Sequence, residues 1–342
     1  MGGRVLRPEL ADGDAEQGNA ARGTGAPQAD PLAEGRVWRV SSGSAAVLGL
    51  RPTTVDAAPT TAYLLLGGRC HRDCAFCAQA RESRAPEGAL SRVMWPAFPR
   101  EAVAGAIAGA LERGAIVRAC FQVTDGAGAL DEVGAAVRQL AGTCHVPICV
   151  SAATRALADV EALLEAGAER VTIALDAATP AVHRRVKGGS WERTWALLEE
   201  GAARYPGRIG THLIVGLGES ERDLVTQLQR LVDLGVTIGL FAFTPVPGTA
   251  LASAAAPPLA AYRRVQAVRW LLAHGLVRAE ACSYDDAGRL TSLGMEAAAL
   301  RRALADGEAF RTAGCPDCNR PYYNERPGGV MYNYPRPLAP RE

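Results

Sequence analysis

The sequence predicts an α/β fold: a partial (β/α)6 TIM-like barrel with a Cys-containing C-terminal extension. Three observations predict it. Short apolar runs alternate with amphipathic stretches six times between residues 61 and 274, which is the pattern of βαβ units. The 342-residue chain is 48% hydrophobic and 21% charged, enough for a full-sized core and unlike a disordered chain. The rhythm then stops after about residue 276, and a tail of different composition follows. A flat doubly wound sheet is the structural rival, because the pattern does not carry strand order.

Taken in order, residues 1–34 are polar and rich in Ala, Gly, Pro and Asp, without hydrophobic period. They predict a disordered or weakly ordered arm. Residues 35–280 form the expected core barrel and 281–342 the extension. Strands are predicted at 61–66 (TAYLLL), 116–123, 146–151, 170–175, 209–216 and 236–243. Helices are predicted at 100–113, 128–141, 155–167, 191–204, 219–234 and 257–274, with one more at 289–304. Parallel β/α folds place chemistry at the C-terminal ends of their strands, so a motif just after a strand is positioned for function.

Charge and composition exclude several classes. The net charge is +1, so no phosphate-driven nucleic-acid partner is expected. No uncharged apolar run of about 18 residues occurs, and no membrane span is expected. No secretory signal is expected either, and the expected location is cytoplasmic. Nine Cys, an odd number, argue against a complete disulfide framework and for metal or redox chemistry. Lys187 is the one Lys among 36 Arg, a bias read as GC-rich coding; residues that resist it draw notice. Asn319, Asn324 and Asn333 are three of the four Asn, and Tyr322, Tyr323, Tyr332 and Tyr334 are half of the 8 Tyr. That concentration predicts an ordered tail.

The strongest motif is Cys70-His-Arg-Asp-Cys74-Ala-Phe-Cys77, directly after the first strand. Close thiolates bind soft metals or iron–sulfur clusters. A structural zinc site would want four ligands, and this loop supplies three. Three cysteines on a four-iron cube leave one iron open to a small chelating ligand. C-x-x-x-C-x-aromatic-C with Phe76 before the last Cys, placed after the first strand, resembles the radical S-adenosylmethionine enzymes. The resemblance implies a 4Fe–4S cluster with an open iron, chelated by the methionine end of S-adenosylmethionine. It also implies one-electron cleavage to a 5′-deoxyadenosyl radical. Cys70, Cys74 and Cys77 are then the catalytic metal ligands.

The same resemblance implies cofactor contacts. Thr124-Asp125-Gly126 stands where the family often has G-G-E for the methionine amine. Gly216-Leu-Gly218-Glu219 resembles the segment against the adenine; a plain βα turn with a capping acid is the alternative. The loop Thr244-Pro-Val-Pro247 resembles that of biotin synthase and its relatives. Asp176 would face ribose or substrate, or else cap the next helix. Lys187 would be a cation at the barrel mouth.

Six cysteines remain. Cys120 and Cys149 lie within strands and Cys144 just before one; buried free Cys is a common core residue. Biotin synthase uses three strand cysteines and an Arg for a second cluster. Cys120 and Cys149 fall on comparable strands, but the fifth strand has no Cys. Cys315-Pro-Asp-Cys318 with Cys282 is the set expected to hold a second 4Fe–4S cluster; a zinc knuckle is the alternative. The tail CNRPYYNERPGG resembles split, two-component lipoyl synthases, which implies sulfur insertion into an unactivated C–H of an octanoyl chain, a sulfurtransferase of lipoate biosynthesis. The C-x4-C-x5-C and R-S-S-Y motifs of single-chain lipoyl synthases are absent. Implied partners are an octanoylated carrier protein or peptide, met by Arg320, Arg326 and Arg336, a second radical S-adenosylmethionine protein, and a ferredoxin or flavodoxin as electron donor. The rival readings are a different radical reaction with the second cluster as electron relay, and a non-catalytic iron–sulfur or zinc-binding partner protein.

Overall fold

A computed structural model describes residues 36–325, 328–339 and 342. The expected arm at 1–34 and Arg326 lie outside the described residues. In chain order the elements are β1 (Val37–Val40), α1 (Ser42–Val47), β2 (Thr61–Leu66), β3 (Ala89–Leu90), β4 (Val93–Met94), β5 (Ala97–Pro99) and α2 (Arg100–Glu112). Then come β6 (Arg118–Val123), α3 (Ala129–Thr143), β7 (Ile148–Ser151), α4 (Leu157–Glu165), β8 (Arg170–Thr172), α5 (Pro180–Val186) and α6 (Trp191–Arg204). The chain continues with β9 (Ile209–Val215), α7 (Glu221–Asp233), β10 (Thr237–Ala242), α8 (Leu259–Ala273), β11 (Ser283–Tyr284), β12 (Leu290–Ser292) and α9 (Ala297–Ala303).

The large sheet runs β10-β9-β8-β7-β6-β2-β1-β5. Six of its members, β2 and β6 to β10, pair in parallel, while β1 is antiparallel to both neighbours. Tyr63 of β2 and Phe241 of β10 sit at opposite ends of the six, yet line one cavity. The sheet is therefore curled into a partial (β/α)6 barrel, and the flat alternative is gone.

The two faces of each strand divide the work. Leu64 and Leu66, Ala119 and Phe121, and Ile238 and Leu240 belong to the main core beneath the helices. Their alternates Tyr63, Cys120, Gln122, Gly239 and Phe241 face the barrel interior. Period two is hidden in the sequence because both faces are covered. Helix starts follow their caps. Ser190 accepts from Arg193 N–H ahead of α6, and Thr179 accepts from Val182 N–H ahead of α5. Ser220 and Asp223 form a capping box on α7, satisfying donors that a helix N-terminus leaves open.

The helix expected at 289–304 is only partly there. Leu290–Ser292 pairs instead with Ser283–Tyr284. The helix begins at Ala297, where the Glu296 carboxylate accepts from Ala298 and Ala299 N–H. A capping acid sets the start that periodicity alone placed too early.

The tail packs into the barrel instead of lying on it. Asn319 accepts from Thr60 N–H at 3.0 Å and donates to Ala58 O at 2.9 Å. Higher up, the Asn324 amide donates to Thr244 Oγ1 at 3.1 Å. Buried Glu325 accepts from Asn333, which accepts in turn from Tyr262 Oη at 2.9 Å. The three tail Asn are all buried, which accounts for their concentration there. Asn319 satisfies backbone, and Asn324 and Asn333 satisfy side-chain groups, that would otherwise be buried unpaired.

Two predictions arise from this packing. Asn319→Ala leaves Thr60 N–H and Ala58 O short of partners and should cost about 1–3 kcal/mol, read as a lower urea midpoint and faster proteolysis within residues 305–320. His183 is 1% exposed and neither ring nitrogen has a hydrogen-bond partner among the described residues. Burial, aided by Lys187 and Arg72 against the opposing Asp176 and Glu192, lowers its pKa to about 4. The unfolded ring titrates near 6.5, so the unfolded state takes up the proton first. Stability is then complete above pH 6.5 and falls as the pH drops towards 4. Between pH 7 and 5 the His183 share is about 1–2 kcal/mol. His183→Leu should flatten the Tm-against-pH slope by that amount.

Candidate active site

The cysteine loop leaves β2 through Gly67, at φ +84°; a Cβ there would lie 2.2 Å from Thr124 Oγ1. Only glycine permits that turn and that approach. The loop is then pinned by its backbone. Cys70 N–H donates to Gln79 O, His71 N–H to Asp125 O and Ala75 N–H to Val186 O, at 2.7–2.9 Å. The Arg69 guanidinium holds Ala78 O and Ala85 O from one side. Cys70, Cys74 and Cys77 are thereby all presented to one cavity of about 290 Å³.

The sulfurs are met by donors. Asp125 N–H donates to Cys70 Sγ at 3.3 Å and Gln79 N–H to Cys77 Sγ at 3.4 Å. Such contacts favour thiolate and tune a bound cluster. Burial pushes the free thiols the other way, Cys74 up to about 12 and Cys77 up to about 11. A metal centre would reverse that, since ligation requires the thiolate. The donor set fits a cluster held by three cysteines.

The mouth of the cavity carries three cations and two carboxylates. Arg72 and Arg155 bind the Asp125 carboxylate at 2.7 and 2.8 Å. Burial works against that carboxylate, but the two guanidiniums outweigh it and hold its pKa below the ordinary value. Lys187 Nζ lies 2.7 Å from Asp176 Oδ2 and also donates to Ala174 O. Both side chains are largely buried. Lys187 is thus not a free cation awaiting an anion; its charge is already neutralised. Asp176 holds a left-handed φ of +66°, while its backbone exchanges bonds with His212 and Ile214 of β9. It does not cap α5, because Thr179 does. A strained, non-glycine residue at the mouth is the kind of feature that functional sites retain.

Other expected contacts lie apart. Phe76, Asp125, Asp176 and Lys187 line the cavity, whereas Gly126, Gly216, Gly218, Glu219 and Pro247 do not. Thr124 is buried beside Leu66, to whose carbonyl it donates. Gly216 faces the Pro257 ring and Gly218 faces Arg185. Glu219 Oε1 accepts from Ala178 N–H at 2.8 Å, tying the loop after β9 to the loop after β8. Its second oxygen is buried without a partner among the described residues. Pro247 is exposed, and its neighbour Gly248 accepts from Arg84 N–H.

At the other end of the cavity a second group of thiols gathers, and its membership departs from the expected one. Cys315 Sγ lies 3.3 Å from Cys149 Sγ. Cys318 Sγ lies 3.3 Å from Tyr63 Oη. Cys120, paired in register with Cys149, shares the cavity with Cys315 and Cys318. Cys282 does not join them. It follows α8, which returns along the outer layer, and stands half-buried beside Tyr284 and Glu280. Its neighbour Ala279 bonds to Gln229 on α7. A residue emerging from the helical layer has the sheet between itself and the barrel interior. The two strand cysteines take the place assigned to Cys282. Cys144 caps the end of α3 and packs against the core.

Arg320 also corrects an expectation. It is no surface contact: its guanidinium lies 4.0 Å above the Phe241 ring and donates to Ala313 O. Arg336 is exposed and paired with Glu342. Tyr63, Tyr323, Arg320 and His212 line the cavity and were missed by motif reading. A tyrosine amid the apolar run TAYLLL was the one available signal.

With this geometry in view, the comparisons are direct. Residues 64–231 match the model of the Radical SAM superfamily, and the chain belongs to that superfamily. The chain also resembles a biotin synthase. It is 26% identical over 191 residues to biotin synthase of Sulfurihydrogenibium sp. (strain YO3AOP1), a match covering 54% of each chain. The aligned region thus spans about half of that relative's length. Among solved structures, the FeFe-hydrogenase maturase HydG from Carboxydothermus hydrogenoformans aligns at TM-score 0.51 with 17% identity, over 63% of this chain and 51% of that one. A second HydG structure aligns at 0.51 with 12% identity, over 62% and 49%. These two likenesses are of fold.

The buried ion pair makes a prediction of its own. Lys187→Met leaves the Asp176 carboxylate buried and unpaired, and should cost about 3–5 kcal/mol in urea unfolding. The double variant with Asp176→Asn, which tolerates the left-handed backbone, should recover most of it.

Proposed function

We propose that this radical S-adenosylmethionine enzyme inserts sulfur into an unactivated C–H bond of an octanoyl-type acyl chain. The observation that carries the reading is the single cavity with a thiol set at each end. When bound, the 4Fe–4S cluster and S-adenosylmethionine supply a hydrogen-abstracting radical at the mouth. Cys70, Cys74 and Cys77 hold that cluster, and Asp125 N–H steadies the first sulfur. The Lys187–Asp176 pair presents a fixed dipole at the mouth with no net charge. Phe76, Trp95, Ile173, Phe241 and Phe243 supply apolar wall, suited to an alkyl chain and to excluding water from a reactive species.

A second cluster held at the far end would supply the sulfur. The octanoyl chain and the split pathway are supported by the tail's resemblance to two-component lipoyl synthases. On this reading the partners are an octanoylated carrier protein or peptide, a second radical S-adenosylmethionine protein for the other sulfur, and a ferredoxin- or flavodoxin-type donor. No helix among the described residues is long and apolar enough to cross a membrane.

Anaerobically reconstituted, reduced protein should release 5′-deoxyadenosine from S-adenosylmethionine, and Cys70→Ala should abolish that release. An octanoyl-lysine peptide should gain one sulfur by mass as the protein loses sulfide. A sulfur-free product with sulfide intact turns the reading to an electron relay. No release from wild type overturns the enzyme reading in favour of a non-catalytic cluster protein.

A further inference from the structure

The far end of the cavity is unusual for its position. In parallel β/α barrels the N-terminal end of the strands is packing, and chemistry sits at the other end. Here Arg118 opens β6, Arg170 opens β8, and Cys149 is the second residue of β7. Cys149 pairs in register with Cys120 on one side and Arg170 on the other. The four side chains therefore share the interior face. An apolar plug would fill this layer at no electrostatic cost, whereas buried guanidiniums need compensation.

The tail completes the group. Arg118 donates to Cys149 Sγ at 3.1 Å and to Pro316 O at 3.2 Å, and it pairs with Glu169. It thus ties the strand cysteine to the Cys315–Cys318 loop. That loop turns through the Cys318 N–H to Cys315 O bond. It holds Asp317 at φ +60° and Arg320 at φ +30°, strain that a plain tail has no reason to keep. Arg320 N–H donates to Tyr63 Oη at 2.8 Å, and that hydroxyl meets Cys318 Sγ. Gly239 leaves room for the guanidinium: a Cβ there would lie 3.3 Å from Arg320 Nη1. Four thiols are gathered with three cations, Arg118, Arg170 and Arg320.

We infer that Cys120, Cys149, Cys315 and Cys318 are the ligands of a second iron–sulfur cluster, half of them from barrel strands and half from the tail. The inference rests on the proposed function for there being a second cluster, and it names the residues that hold it. Thiolates suit iron–sulfur clusters, and Arg170 and Arg320, with Arg118 shared with Glu169, partly offset the negative charge of four thiolates. A mononuclear zinc site would use the same four thiolates; protein that binds zinc and no iron overturns the cluster. Simple core cysteines are disfavoured, because such residues do not assemble with the buried Arg118 and the half-buried Arg170 and Arg320.

The test removes the first cluster. The Cys70/Cys74/Cys77→Ala protein, reconstituted anaerobically with iron and sulfide, should retain about four irons and a reducible electron-resonance signal. Adding Cys315→Ser and Cys318→Ser, or Cys120→Ser and Cys149→Ser, should bring iron below about one per chain; adding Cys282→Ser should change nothing. Circular dichroism and melting of each protein verify folding. For any variant that fails to fold, single Cys318→Ser in the same background replaces it, with a shifted electron-resonance spectrum expected. Iron that survives both double variants and falls with Cys282→Ser overturns the ligand set while leaving a second cluster. No iron in the triple variant overturns both. An intact second cluster with a sulfur-free product supports the site and removes the sulfur-insertion reading.

Discussion

Six parallel strands leave a gap between the first and the last, and here an irregular segment closes it. Residues 315–324 pass between β2 and β10. Arg320 touches Tyr63 of the one and Phe241 of the other. Tyr323 packs edge-on against Phe241, ring centres 5.5 Å apart. Irregular chain inside a protein carries unpaired donors and acceptors, each costing about 1–3 kcal/mol if left unmade. The tail's Asn residues supply both a donor and an acceptor, and so can stitch such chain to strands, loops and each other. The cavity, its far wall and two of its thiols all exist because this closure holds.

Electrostatics divides the cavity into two ends and a quieter middle. At the mouth, Asp125 with its two arginines and Lys187 with Asp176 leave one net positive charge. At the base, guanidiniums face thiols. The hydrogen bond from Cys149 and the guanidiniums of Arg170, Arg118 and Arg320 lower Cys315 despite burial, while Cys149 itself is pushed up. The middle is walled largely by aromatic and aliphatic side chains. Mouth and base therefore suit charged groups, and the stretch between suits an alkyl chain.

Much of the fold is legible in the residues. Each of the six strands lies within two or three residues of its apolar run, and α6 spans the expected 191–204, capped by Ser190. The Cys70–Cys77 loop is legible because its ligands are adjacent in sequence. Cys282 misleads for the converse reason. Nearness along the tail suggested a partnership with Cys315, yet α8 had already carried the chain to the outer layer. The pairing of Cys315 with Cys149 spans 166 positions, and no local pattern encodes it.

Alternation of apolar runs with amphipathic stretches, and three cysteines in one loop after the first strand, determine by themselves a parallel β/α core and a cluster-binding loop. Both depend on contacts between near neighbours in sequence. Curling of the sheet, passage of the tail through its gap, and the meeting of Cys120 and Cys149 with Cys315 and Cys318 are decided only in three dimensions. They depend on which interior faces are brought opposite one another, and that is set by closure of the whole barrel.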